Sequence, residues 1–544
     1  MIDWLLILLL GLSGGIPAQN QEINPESTPD SGTALETSDN IRIEISPSMQ
    51  EKIRAGLGVP SPRAPRVILL LAEHDGPIGD LEPLDAPFFR RPQPIRSIPL
   101  DPDSLTSTLE IGDWSPGLNS VPKRWEKLKG RFKIRAVVDL GLGRGHDHPD
   151  HPMSDVETIE LAPDRRDVVE LTIDRCLPGS EERRDAEDLI WIERSSPMLS
   201  AALGRPISHR AAVVLPPGYR NTGEKRRFWP VIYRIPAFGG DHTTASEIAR
   251  MYRDPALRGS LPNAVWVVLD PEDVLGHHGF VDGDNMGPRG TALVEELIPW
   301  LERRFRLVSE PDSRLLYGHS SGGWSALWLL VQHPAVFGTA FASAPDPVDF
   351  SHFGAVDLYE SEDLFLDERG RERPSYRRPI APEIDRVAMT IQDEIAMEEA
   401  IAPDLRSGEQ WRAWNAMFSG RDSKTGRPRL AFDPRTGRID RMVVDRDWAR
   451  FDLCALVRDD PSGVGRILRE RARVLCGARD SFYLERAVES LQGMLDRVGR
   501  DHGLPLGPGY VQIVPNATHG SIAGTAMQRW MREMSDIVDR SPMR

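Results

Sequence analysis

From about His209 onward, short apolar runs alternate with stretches of helical periodicity, and this alternation constrains the fold more than any other feature. Ala211–Leu215, Pro230–Ile235, Ala264–Leu269, Arg314–Tyr317, Gly338–Ala342, Arg473–Cys476 and Tyr510–Val514 read as strands. Thr243–Tyr252, Gly290–Phe305, Gly323–Gln332, Tyr483–Val498 and Thr525–Val538 read as helices. Glu295, Glu296, Ile298, Leu301 and Phe305 show how one such helix combines a charged and an apolar face. Strands that alternate with helices pair in parallel, with the helices covering the sheet. The expected class is therefore α/β, with a mostly parallel sheet and helices on both faces, over residues 196–544. The rhythm fails between Pro345 and about Gly465. That stretch reads as an insertion at about 346–465, with helical pieces at Ala381–Glu399 and Gly408–Phe418. Trp411, Trp414, Phe418 and Trp448 within it read first as packing and second as the lining of an acyl or aromatic pocket.

Residues 41–195 look different. Ile41–Ile45, Arg66–Leu71, Arg131–Leu140, Thr158–Leu161 and Val168–Ile173 are short β-type runs between turns rich in Pro and Gly. Several alternate apolar and polar residues, so a β-sandwich-like domain is expected here. The run His146-Asp-His-Pro-Asp-His151 reads as a solvated loop between strands rather than a metal site. Ahead of it, Trp4–Leu12 is apolar but too short to span a bilayer, and small residues follow it up to Ala18. Residues 1–18 therefore read as a signal peptide and 19–40 as a disordered linker, which predicts export to the periplasm or the extracellular space. No later stretch reaches transmembrane length.

Composition narrows the function. Lys and Arg number 67 and Asp and Glu 82 in 544 residues, a net charge of −15. Nucleic-acid binding rests on clustered positive charge and is not expected. Cys176, Cys454 and Cys476 are too few for a disulfide scaffold and allow at most one internal bridge; none sits in a CxxC pair.

The chemistry sits in Gly318-His-Ser320-Ser-Gly322, between the apolar run Arg314–Tyr317 and the apolar run beginning at Gly323. A serine on a sharp strand-to-helix turn needs neighbours without bulk two residues to either side, and Gly318 and Gly322 supply that. Its hydroxyl then stands clear of the sheet at a helix N-terminus, which favours developing negative charge. Ser321 is a rival by adjacency only. A serine nucleophile needs a base, and the base needs an acid to orient it. In this setting the chain order is Ser, acid, His. Asp480 follows the strand at Arg473, with Glu485 and Asp460 as weaker rivals. His519 follows the strand at Tyr510, whereas His502 lies ahead of that strand, at the wrong sheet end. The oxyanion hole should use the Ser321 N–H and an N–H from the loop after Val231–Ile235, where Gly239 and Gly240 let backbone approach a substrate.

PVIYRIPAFGGDH, LIPWLERRFRL, LLYGHSSGGWSALWLLVQHPAVF, CGARDSFYL and PNATHG together resemble the putative esterase family of the α/β-hydrolase superfamily. This group includes esterase D, feruloyl and enterochelin esterases and the mycolyltransferases. The resemblance covers roughly 205–345 and 470–540. It implies Ser320, Asp480 and His519 as a triad, the Phe238 and Ser321 amides as the oxyanion hole, and no metal or organic cofactor. Where relatives often read His-Gly, this chain has Pro236-Ala237. The reading is a serine-dependent carboxylic-ester hydrolase acting on a small-molecule or polysaccharide-linked ester, with no integral membrane span in the mature chain. An acyltransferase with the same triad and an inactive hydrolase-fold binding protein are the alternatives.

Overall fold

Two sheets organise the chain, and the burial pattern of each strand shows what covers it. The computed structural model describes residues 41–540 apart from 59–60, 62–63, 75–81, 85–91, 102–104, 124, 126–127, 144, 163–167, 177–183, 221–226, 382–383, 404–405 and 504–506. The expected signal peptide and linker lie outside the described residues.

The first sheet contains β1 (Ile41–Ile45), β2 (Arg66–Glu73), β3 (Ile95–Pro99), β4 (Thr108–Ile111), β5 (Asn119–Val121), β6 (Gly130–Asp139), β7 (Pro152–Ser154), β8 (Glu157–Leu161) and β9 (Val169–Cys176). Their order is β4-β1-β9-β7-β6-β2-β3-β5, with β8 also on β6, and only β1 with β9 is parallel. The pairings join all nine strands into one sheet, and β1 and β2, four places apart in its order, share one apolar core. The long strand β6 joins the parts: its first half pairs with β8, Val137 pairs with Met153 of β7, and β2 runs along its other side. Strand β2 is apolar on both faces. Val67, Leu69 and Leu71 pack with Ile41, Ile43 and Ile45, while Ile68 and Leu70 pack with Met389, Met397, Ala400 and Ile401 of the insertion. The layer that covers this second face is therefore a helix from far along the chain.

The second sheet contains β10 (Leu189–Ser195), β11 (Ser208–Val214), β12 (Val231–Ile235), β13 (Val265–Leu269), β14 (Arg314–His319), β15 (Thr339–Ser343), β18 (Ala472–Gly477) and β19 (Tyr510–Val514), in the order β10-β11-β13-β12-β14-β15-β18-β19. From β13 to β19 all pairings are parallel. Every residue of β13 is buried, as expected for a strand covered on both faces. The expected strands from 211 to 514 are all present, with ends within three residues of those expected. Strand β10 was not expected. It lies inside 41–195 yet pairs antiparallel with β11, so the second sheet begins before residue 196.

The helices used below are α1 (Ala245–Arg253), α2 (Ile298–Phe305), α3 (Ser321–Gln332), α4 (Ile391–Ile401), α5 (Gln410–Phe418), α6 (Glu485–Asp501) and α7 (His519–Arg540). Helix α3 is buried from Ser321 to Val331, which its uniformly apolar sequence requires. In the insertion, the helix expected from Ala381 starts only at Ile391. A hairpin, β16 (Pro374–Ala381) and β17 (Ile384–Thr390), occupies the preceding residues. The start is fixed by a capping box: Thr390 accepts the Asp393 N–H, and the Asp393 side chain accepts the Thr390 N–H. Trp411, Phe418 and Trp448 are buried in one aromatic cluster with Phe350 and Phe353. Among the described residues, no helix is long and apolar enough to cross a membrane.

Candidate active site

Strand β14 ends at His319 and α3 begins at Ser321, leaving Ser320 as the turn between them. Its backbone has φ +55 and ψ −125, a region that L-residues rarely adopt. Both flanking glycines are required. A Cβ at Gly318 would lie 2.1 Å from the Gly322 carbonyl oxygen, and one at Gly322 would lie 2.1 Å from that of Ile235. The Ser320 N–H donates to the Ser343 carbonyl (2.9 Å) on β15, and the Ser320 carbonyl accepts the Trp324 N–H (3.0 Å), the first helical bond of α3.

The glycine at 322 also lets the start of α3 sit directly beneath the end of β12. That packs the start of α3 against the backbone of Ile235 and Pro236, where the loop Pro236-Ala-Phe-Gly-Gly240 begins. This loop turns at Gly239 (φ +81), with the Gly240 N–H donating to the Ala237 carbonyl (2.9 Å). Among the described residues, no protein acceptor takes the Ser321 or Phe238 N–H. Buried His277 supports the loop. Its Nδ1 accepts the Gly279 N–H (3.1 Å), so the ring proton is on Nε2, which donates to the Pro236 carbonyl (3.1 Å).

Asp480 follows β18 and is fully buried. His519 opens α7, and its Nδ1 lies 2.8 Å from Asp480 Oδ2. Asp480 Oδ1 accepts the Phe482 N–H (2.9 Å). Its backbone carbonyl accepts Arg377 Nε (2.8 Å) from β16, so the hairpin braces the acid loop. The His519 ring packs against Phe482 (centroids 4.8 Å, edge-on) and against His319 (4.6 Å), the residue next to Ser320. Desolvation in this packed elbow, reinforced by the His519 charge, pushes His319 well below the usual imidazole range, so it is neutral.

The structure thus pairs Asp480 with His519 and sets that pair against the elbow. It does not join Ser320 to His519 by a hydrogen bond among the described residues. The Ser320 hydroxyl donates instead to Asp346 Oδ1 (3.3 Å). In the sequence Asp346 stands between two prolines where the strand–helix rhythm fails. Asp346 is buried, and its Oδ2 accepts the Ser321 hydroxyl (2.7 Å) and the Trp414 indole N–H (2.9 Å) of α5. The rivals lie elsewhere. Glu485 is salt-bridged to Arg377 (2.7 Å), Asp460 caps the turn at Gly463 and Val464, and His502 is exposed beyond α6.

The histidines of 146–151 are not solvated. His146 Nδ1 meets Glu409 (3.0 Å) and Nε2 meets the Leu84 carbonyl (3.1 Å), while buried His151 sits 3.1 Å from Asp139. Among the described residues, no group of three or more His, Cys, Asp and Glu is arranged to hold a metal ion. Cys176, Cys454 and Cys476 are free thiols.

Residues 200–430 match the model of the family described as Putative esterase. The match takes in Phe238, Ser320 and Asp346 and ends before Asp480 and His519. Esterase Rv1288 of Mycobacterium tuberculosis is 30% identical over 151 residues, which are 27% of this chain and 29% of that protein. YbbA of Bacillus subtilis, whose printed name is an uncharacterized protein, is 22% identical over 169 residues, 27% of this chain and 66% of its own length. The chain thus spans less than a third of the length of the mycobacterial esterase it matches. A solved ferulic acid esterase aligns with 64% of this chain and 98% of its own at 14% identity, with a TM-score of 0.36.

Proposed function

We propose that the protein is a serine carboxylic-ester hydrolase that works through an acyl-enzyme. The observation that carries this reading is the strained Ser320 at the N-terminus of α3, with the hydrogen-bonded Asp480–His519 pair packed beside it. To react, the Ser320 hydroxyl turns from Asp346 to His519 Nε2. His519 takes the proton as Ser320 Oγ bonds to the ester carbonyl carbon. The oxyanion is held by the Ser321 and Phe238 N–H groups, each worth about 3 kcal/mol of barrier. The C–O bond to the alcohol breaks and His519 returns the proton to it. Water, deprotonated by His519, then attacks the acyl-enzyme and releases the acid. Asp480 holds the Nδ1–H tautomer and stabilises the imidazolium through both half-reactions. The substrate is a small-molecule or polysaccharide-linked ester, and the residues named need no metal or organic cofactor. An exported enzyme would meet such esters outside the cytoplasm.

The test is Ser320→Ala. The wild-type protein should hydrolyse 4-nitrophenyl acyl esters and be labelled at Ser320 by a fluorophosphonate. The variant should keep its fold by circular dichroism and lose both. Undiminished turnover in the variant would remove Ser320 from the mechanism.

A further inference from the structure

The site holds a carboxylate that the hydrolytic cycle does not use. Asp346 follows β15 and lies within hydrogen-bond reach of the nucleophile. Its contacts are unequal. Oδ2 takes two short bonds, from the Ser321 hydroxyl at 2.7 Å and the Trp414 indole at 2.9 Å. Oδ1 takes one long bond, from Ser320 at 3.3 Å. The backbone N–H of Asp346 donates to the Ser320 carbonyl at 3.3 Å, which fixes the carboxylate relative to the elbow. When Ser320 turns to His519, Oδ1 loses its donor. A buried carboxylate oxygen without a donor is unfavourable, so a substrate that supplies one is favoured at the moment of attack.

Resting on the hydrolase reading, we propose that Asp346 is a specificity-determining residue. It selects esters whose acyl chain carries a hydroxyl or amino group on the α or β carbon, and it rejects those with a carboxylate there. Geometry sets the position. Oδ1 stands 3.3 Å from Ser320 Oγ before that oxygen turns to His519, so Asp346 borders the space that the acyl group enters and a donor that reaches it sits one or two carbons from the carbonyl. The acyl portion is the one selected because it stays on Ser320 through both half-reactions. Charge sets the sign. Burial pushes the Asp346 carboxyl up, whereas the Ser321 and Trp414 bonds, the His519 charge and the Ser320 bond pull it down. As a carboxylate, Asp346 repels a second carboxylate brought beside it. Trp414 is a positioning residue. It comes from α5 of the insertion and reaches Asp346 across 68 residues of chain, so the insertion helps to hold the selecting group in place.

The test compares kcat/KM for three esters of one alcohol, ethyl 3-hydroxybutyrate, ethyl butyrate and monoethyl succinate, in the full-length protein and in Asp346→Asn and Trp414→Phe. The wild type should prefer the hydroxy ester over butyrate by about tenfold or more and should turn over the succinate slowest. Asp346→Asn should bring the hydroxy preference within about threefold and raise the succinate-to-butyrate ratio by about tenfold, and Trp414→Phe should move both ratios partway. If Asp346→Asn does not fold, the Trp414→Phe ratios decide. Wild-type turnover of butyrate without preference for the hydroxy ester, or ratios unmoved in the variants that fold, overturns the proposal alone. Failure of the wild type to hydrolyse any ester or to be labelled at Ser320 overturns the hydrolase reading, and this proposal with it.

Discussion

Asp480 has no exposed surface, and its two oxygens are each committed, one to the Phe482 N–H and one to His519 Nδ1. An acid held this way can orient the imidazole and carry its counter-charge without moving. Asp480→Asn keeps the shape but places an amide against Nδ1, which favours the wrong tautomer. The expected result is a fall in kcat of about 10³–10⁴ with KM changed far less. A fall of less than tenfold would mean that another acid serves His519. Chain order and the ends of strands led from the sequence to Ser320, Asp480 and His519, of which the structure hydrogen-bonds Asp480 to His519 beside the elbow. Gly318 and Gly322 could be read because only a residue without a Cβ fits there. Asp346 could not. It looks like one more turn residue between two prolines, and its meaning depends on Trp414, which no local pattern links to it. His277 was hidden for the same reason, since its partner is a carbonyl 41 residues earlier.

Helix α5 connects the Ser320 elbow to the first sheet. Trp414 in its middle binds Asp346, and Glu409 at its start binds His146 of the β6–β7 connection at 3.0 Å, with both side chains buried. Burial alone would lower the His146 pKa. The hydrogen bond and charge of Glu409 override it, with smaller help from Asp147 and the Leu84 carbonyl, and push it up to about 9. A histidine that binds its proton more tightly when folded contributes stability in full below its ordinary value of about 6.5, and that stability is lost as pH rises through about 9. His146→Gln should therefore cost up to about 3 kcal/mol near pH 6, and the gap to wild type should close toward about pH 10 in denaturant titrations. A difference that does not vary with pH would show that the pair is not charged. At this scale the sequence misled once. Ile384, Val387, Ile391 and Ile395 fall at helical spacing, so the hairpin strand β17 and α4 read as one helix. The discriminating signal was Thr390-x-x-Asp393, the capping box that starts the helix at Ile391.

The two sheets are not independent bodies, because the insertion that interrupts the second covers the outer face of the first. Ile68, Leu70, Ile95 and Val137 of the first sheet share one apolar cluster with Met389, Met397, Ala400 and Ile401 of the insertion. The continuous run Arg66-Val-Ile-Leu-Leu-Leu-Ala72 carried this information: a strand that is apolar on both faces needs a cover on both. The sequence could not say that the cover comes from more than 300 residues away, as the Ser97 hydroxyl bond to the Ala400 carbonyl shows. A chain beginning at Asp188 retains β10 and the whole second sheet, so its length alone would suggest a self-sufficient hydrolase. It would nevertheless strip the cover from Met389, Met397 and Ile401, and each large apolar side chain left exposed costs about 1.5–3 kcal/mol. For a chain of this size a loss of about 5 kcal/mol lowers Tm by about 5–7 °C. The full-length protein should melt in one transition. The shortened chain should melt earlier or collect as aggregate, bind a hydrophobic dye in its native baseline, and lose ester hydrolysis as α5 loosens and releases Trp414 from Asp346. A soluble shortened chain with the same Tm and the same turnover would show that the first sheet is an appendage, and that α5 holds the site without it.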